Sequence, residues 1–242
     1  ARMEQMGGEN LERSGADPGR REKLRPNYKV GCKRLIMSDD FYDAIQKPNA
    51  ELVTDPIVRI EPQGIRTADG RLHALDVLVL ATGYDAHSTF APMKLYGEDG
   101  VDLDTVWKDA AQAYLGVTIP RFPNLFMILG ANGTFTNLPP SLESQVEWIS
   151  DTIATMEADG RSTIEPTQEA EDAWVETCRT IANMTLFPKA ESWIFGANIP
   201  GKKNAVMFYL GGLGNYRSEL QSVRNSGYES MIFDRQTATT AL

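Results

Sequence analysis

The sequence predicts an α/β fold, and three observations predict it. Val77-Leu78-Val79-Leu80 is apolar without alternation and runs into Ala-Thr-Gly at 81–83. A half-exposed strand alternates, whereas an unbroken apolar run reads as a strand covered on both faces. Leu125-Phe126-Met127-Ile128-Leu129 repeats the pattern and ends at Gly130. From residue 141 to 185 the apolar spacing changes to steps of three and four, the mark of amphipathic helices. Gly-ended strands are where an open α/β sheet admits ligands, because the backbone can turn sharply there and let another group come close.

The elements follow in order. Residues 1–26 are polar and charged and read as a loose helix or linker that buries little. Residues 27–35 gather aromatic and basic groups around Gly31. Ser38 to Ile45 reads as a helical turn with Ser38 as its cap and acids in its first turn. Residues 51–58 and 64–67 are strand candidates, and Ala68-Asp69-Gly70-Arg71 is the turn that follows. Asp76 to Leu80 is the first buried strand. Residues 105–114 are expected to be helical, 120–123 a loop, and 125–129 the second buried strand. Residues 131–140 hold two Asn, a Gly and a Pro pair, so they read as a loop. A helix over 141–156 places Leu142, Val146, Ile149, Ile153 and Met156 on its inner face. A second over 167–185 has Thr167 as cap and Ala170, Trp174, Cys178, Ile181 and Met184 on one side. Residues 206–210 are a third strand candidate, and the chain from Arg235 onward reads as frayed.

Composition narrows the function classes. The 242 residues carry a net charge of −9, which argues against a nucleic-acid binder. Two cysteines, Cys32 and Cys178, make neither a disulfide framework nor a zinc pattern, so a reducing, cytoplasmic setting is the expectation. Two histidines leave little for a metal site, and none is expected. No apolar run approaches the length of about 18 residues that a membrane span needs. The first residues lack a signal core and begin in mid-stream, which reads as a fragment whose start lies upstream. No Gly-x-Gly-x-x-Gly, phosphate loop or Gly-x-Ser-x-Gly turn is present. Spacing alone therefore stops at a ligand-binding α/β half-domain.

Particular blocks go further. Gly-Cys-Lys-Arg-Leu (31–35), Asp-Val-Leu-Val-Leu-Ala-Thr-Gly-Tyr-Asp (76–85) and Phe-Pro-Asn-Leu-Phe (122–126) resemble flavin-dependent Baeyer–Villiger monooxygenases. So do Gly-Thr-Phe-Thr-Asn-Leu-Pro-Pro-Ser (133–141) and Ser-Trp-Ile-Phe-Gly-Ala-Asn-Ile-Pro-Gly-Lys-Lys (192–203). These last two, with Leu-Phe-Pro-Lys-Ala (186–190) and Phe-Tyr-Leu-Gly-Gly-Leu (208–213), are most similar to cyclohexanone and cyclopentanone monooxygenases. The resemblance runs from about Leu24 to the end, in the family's order.

It implies part of a flavoprotein with two Rossmann-like dinucleotide-binding domains, one for FAD and one for NADPH, with helical segments. Residues 1–30 would be a polar linker or helical segment. Residues 31–79 would finish the NADPH domain, and 80–242 the FAD domain with its substrate loop. The family's FAD and NADPH fingerprints lie in its N-terminal half, so this chain looks like the C-terminal portion, with that half as its missing partner. The implied reaction inserts one oxygen of O2 into a small-molecule ketone, giving a lactone or ester through a flavin peroxide.

The resemblance also assigns roles. Arg34 would stabilise the peroxide anion, because a fixed guanidinium beside it lowers its energy. Lys33 would approach the 2′-phosphate of NADPH, to which a point charge is suited. A solvated surface pair is the ordinary alternative. Trp193 would hydrogen-bond the nicotinamide cofactor through its indole N–H, against the alternative of a packing Trp. Thr82, Gly83 and Asp85 resemble the hinge between the cofactor domains, and equally make a tight turn after a strand. Thr134, Phe135 and Thr136 would line the ketone pocket, while Asn137 and Leu138 would sit against the flavin. Lys202 and Lys203 read as surface charges, and Cys32 and Cys178 as inert thiols. Two other readings stay open: a related N- or S-oxygenating flavin monooxygenase, and a non-catalytic remnant that only binds.

Overall fold

The computed structural model describes residues 2–29, 32, 36–82, 93–189, 195 and 205–234. The chain divides into two compact units, Ala1–Tyr84 and Asp85–Leu242.

The first unit begins with helices α1 (Arg2–Arg13) and α2 (Pro18–Leu24), so the leading segment is more ordered than its polarity predicts. Asp17 caps α2 by accepting from the Arg20 N–H at 3.0 Å, with Pro18 at the first helical position, where its missing N–H costs nothing. Helix α3 (Phe41–Ile45) starts later than expected. Ser38 is not its cap, because the Ser38 hydroxyl donates instead to Asp40 at 2.9 Å. A three-stranded antiparallel sheet follows: β1 (Ile57–Glu61), β2 (Gly64–Thr67) and β3 (Leu72–Ala74). The Asp-Gly turn joins β2 to β3 as expected. Gly70 sits at φ +86°, and Asp69 accepts from both the Thr67 hydroxyl and the Arg71 N–H.

The strand expected at 76–80 is not formed. Val77, Leu78, Val79 and Leu80 are exposed, Val79 at 79 %, and no strand among the described residues pairs with them. An apolar run becomes a parallel strand only when a distant strand supplies its ladder.

The second unit is built on helices. Helix α4 (Leu103–Val106) is one turn long, so the helix expected over 105–114 is not there. Past Trp107 the backbone groups go to tertiary partners: Ala113 N–H donates to the Asn132 side chain, and Tyr114 N–H to Thr118. Helix α5 (Leu138–Ala158) begins three residues before the expected start, and Thr167 caps α6 (Gln168–Asn183) as expected, accepting from Ala170 N–H at 3.1 Å. Strand β4 (Ile164–Pro166) pairs antiparallel with β5 (Met231–Phe233), and α7 (Leu213–Asn225) lies between them in sequence.

The core gathers α5, α6 and α7 around aromatic rings. Trp174 stacks on Tyr209 with centroids 4.8 Å apart, Trp148 lies 6.1 Å from Tyr228, and Tyr216 is fully buried between the helices. On α6, Trp174 and Cys178 are buried as expected, while Met184 is exposed. On α5 the inner face differs from expectation. Ser141, Ser144, Gln145, Trp148, Thr152 and Met156 are buried, whereas Val146 and Ile153 are exposed.

Candidate active site

The expected strand at 125–129 is an irregular segment. Met127 N–H donates to Val117 at 2.7 Å, but Leu129 is in the left-handed region at φ +57°, which ends any extended run. The third expected strand, 206–210, survives as a short pairing with the loop before α5. Asn132 N–H donates to Met207, Tyr209 N–H to Gly133, and Phe135 N–H to Tyr209, each at 2.9 Å, around one parallel bridge between Thr134 and Tyr209.

Asn132 anchors this arrangement. Its Oδ1 accepts from Ala113 N–H at 3.2 Å and its Nδ2 donates to Val206 O at 2.8 Å. Its carbonyl accepts from the Trp174 indole at 3.2 Å. It is fully buried and sits at φ +61°, a conformation Asn tolerates better than most residues. Gly116, at φ +70°, passes so close that a Cβ there would lie 2.4 Å from the Gly133 Cα.

The five residues expected to line the ketone pocket and flavin are consecutive and run from Thr134, paired with Tyr209, to Leu138 at the start of α5. Phe135 meets Phe208 at 5.2 Å and Phe187 at 6.4 Å between centroids, in an apolar cluster with Phe195, Val206 and Leu210. Phe208 was not singled out in the sequence. Its signal was the aromatic run Phe208-Tyr209, of which Tyr209 turns to the core while Phe208 turns to Phe135. Thr134 is buried with its hydroxyl making no hydrogen bond, and so is Ser141 on the first turn of α5, also missed in the sequence. Asn137 precedes α5 without a side-chain cap bond, and Pro139 and Pro140 follow. Pro139 and Pro140 carry no N–H, so the start of this 21-residue helix offers only the N–H groups of Asn137 and Leu138 and the positive end of its dipole, with no side-chain cap bond from Asn137. Arg217 ties that turn to α7, donating through Nε to Ser144 Oγ at 2.8 Å.

Thr82 is exposed in the first unit, directly after the apolar run. Lys33, Arg34, Gly83, Asp85 and Trp193 lie outside the described residues, as do Lys202 and Lys203. A cleft of about 500 Å³ is lined by Phe195 and Val206 and by residues of α6. It is bordered by Asp172 and by Glu176 and Arg179, which pair at 2.5 Å. None of Thr134, Phe135 and Thr136 lines it, so it is not the expected ketone pocket. Among the described residues no cluster of His, Cys, Asp and Glu could hold a metal, and no helix is long and apolar enough to cross a membrane.

No family model matches the chain. It is 53 % identical over 223 residues to a Baeyer–Villiger monooxygenase of Pseudooceanicola batsensis, across 90 % of this chain and 41 % of that protein. Where it aligns, the chain is similar to the C-terminal portion of a Baeyer–Villiger monooxygenase. Its fold matches the crystal structure of cyclohexanone monooxygenase from Rhodococcus sp. Phi1 bound to NADP+ with a TM-score of 0.90, at 45 % identity, over 95 % of this chain and 44 % of that one. It is also 46 % identical over 220 residues to the phenazine N-monooxygenase PhzNO1 of Lysobacter antibioticus, across 89 % of this chain and 40 % of that protein. The chain thus spans about two fifths of the length of the curated relatives it matches.

Proposed function

We propose that this chain is the C-terminal part of an FAD- and NADPH-dependent cytoplasmic monooxygenase that inserts one oxygen atom of O2 into a ketone, cyclic ketones included. The observation that carries the reading is the wall of Phe135 and Phe208, standing beside an uncapped helix start and two unpartnered buried hydroxyls. An apolar wall suits an uncharged ketone. The exposed start of α5 at Asn137 and Leu138, at the positive end of its dipole, suits the polar edge of a flavin, so the residues present fit that cofactor. When bound, FAD would supply the redox chemistry that activates O2.

The chain's residues position and exclude. Asn132 fixes the loop, Phe135 and Phe208 keep water from the ketone, and Asn137 and Leu138 hold the flavin edge. Arg34 contributes positive charge where negative charge develops, and Lys33 recognises the 2′-phosphate of NADPH. Trp193 donates its indole N–H to the nicotinamide cofactor. Thr82, Gly83 and Asp85 act as the hinge. By itself the chain is expected to be inactive, since no glycine-rich fingerprint for a dinucleotide is in its sequence.

The likeness to a phenazine N-monooxygenase favours N-oxygenation as the second reading. The deciding experiment uses the full-length enzyme with cyclic ketones and with phenazines. Lactone formation supports the first reading, and N-oxide formation with no lactone supports the second. In the ketone assay, Arg34→Ala should abolish lactone while NADPH still reduces the flavin. Unchanged lactone yield removes Arg34 from the mechanism.

A further inference from the structure

The ring of Phe135 is held from two directions, and they come from different parts of the chain. Its backbone N–H donates to Tyr209 O at 2.9 Å, which pins the main chain but leaves the side-chain torsions to be set by neighbours. Phe208 leans on the ring at 5.2 Å between centroids, with the two planes 55° apart. Phe187 meets it edge-on at 6.4 Å and 80°, a favoured arrangement for two aromatic rings. Phe195 backs Phe187 at 6.4 Å and 47°. Phe187 belongs to the turn just after α6, and that turn is tied to the helix. The Phe187 N–H donates to Thr185 Oγ1 at 3.2 Å, and the Thr185 hydroxyl donates to Ala182 O at 2.7 Å. Ala182 is fully buried in the same apolar cluster as Phe135 and Phe187. Met184 and Leu186 beside it are 76 % and 51 % exposed, so Phe187 is the apolar residue of this turn that faces inward.

We propose that Phe187 is a positioning residue for the ketone pocket: from the end of α6 it fixes the ring of Phe135 edge-on, and so sets how bulky a ketone the wall admits. The assignment rests on the reading of Phe135 as pocket wall. Phe208 supports one side of that ring and leaves the other to Phe187. Removing the Phe187 ring opens space beside Phe135. Phe135 then swings between orientations, and the wall retreats from the ketone. A Phe187 that only fills the cluster behaves differently: a smaller apolar side chain there lowers stability and leaves ketone preference alone.

The test uses the full-length enzyme and has two readouts. The first needs no turnover: 4-fluorophenylalanine is placed at position 135 and its fluorine spectrum is recorded. The parent should give one narrow line. In Phe187→Leu, which keeps an apolar side chain but no ring, the line should broaden or double. Loss of a neighbouring ring current by itself moves a single narrow line without broadening it, and that outcome overturns the proposal. The second readout is the ratio of kcat/KM for 2-phenylcyclohexanone to that for cyclohexanone, in enzyme without the fluorine. It should rise about threefold in Phe187→Leu, the size of one aromatic pair. It should stay unchanged in Leu186→Ala, the exposed neighbour on the same turn. An unchanged ratio in Phe187→Leu overturns the proposal. If Phe187→Leu does not fold, Phe187→Met is read in the same two ways. If the parent forms no lactone from either ketone, the functional reading fails, and the fluorine line still decides whether Phe187 fixes Phe135.

Discussion

Replacing Glu171 by Gln should stabilise the protein at neutral pH and leave it unchanged in acid. Glu171 lies in the first turn of α6, is only 4 % exposed, and has one carboxyl oxygen with no hydrogen-bond partner; the other accepts from Gln168 at 3.1 Å. Burial pushes its carboxyl from the usual 4.5 up to about 7, against the Gln168 bond, which lowers it. The folded chain therefore keeps a proton that the unfolded chain gives up. The stability this proton supports is complete below pH about 4.5 and is lost as the pH rises through about 7. That interval corresponds to about 3 kcal/mol at neutral pH. Gln keeps the shape and the bond to Gln168 without the charge. At roughly 2–4 °C per kcal/mol for a chain of this size, its melting temperature should exceed the parent's by about 6–12 °C at pH 8 and match it at pH 4. Circular dichroism melts of both proteins from pH 4 to 8 make the comparison, and effects of other groups cancel in the difference. A difference that does not change with pH refutes the argument.

Three further outcomes are expected. Gly116→Ala should destabilise the second unit by about 2–4 kcal/mol in urea, since it adds strain at positive φ to a clash with Gly133 backbone; a loss below about 1 kcal/mol means the two segments can separate freely. Trp174→Ala should cost about 3–5 kcal/mol, emptying the stack on Tyr209 and leaving the Asn132 carbonyl without its donor, and the urea midpoint reports it. In the full-length enzyme, Lys33→Ala should raise KM for NADPH about tenfold, a loss of about 1.4 kcal/mol, and change KM for NADH little. Equal effects on both cofactors mean that Lys33 does not read the 2′-phosphate.

Local signals were legible in the sequence. Thr167 as a cap, the Asp69-Gly70 turn and the two long helices depend on residues within a turn or two of each other. The strands were not legible, because pairing is a property of two segments. Val77 to Leu80 and Leu125 to Leu129 look alike as apolar runs, yet the first is exposed and outside every described strand, and the second is broken by left-handed Leu129. The inner face of α5 was misjudged for a similar reason. Hydropathy favours Val146 and Ile153, whereas hydrogen bonds with Tyr216, Tyr228 and Arg217 decide for Gln145, Thr152 and Ser144. At the candidate site the loop from Thr134 to Leu138 came from family resemblance. Phe208 and Ser141 needed coordinates, since only those show which side chains meet or remain without partners.

Asn132 bears on how this enzyme type could be redesigned. One side chain and its own peptide groups make four hydrogen bonds to three stretches of chain, at Ala113, at Trp174 and at Val206-Met207. Those stretches should open together in hydrogen exchange, as one cooperative block. A pocket loop grafted from another monooxygenase would have to bring an Asn at this position or replace four attachments at once. Under the proposed function, variation in ketone preference falls to the residues after the anchor, 134 to 138, whose side chains can change while the frame holds still.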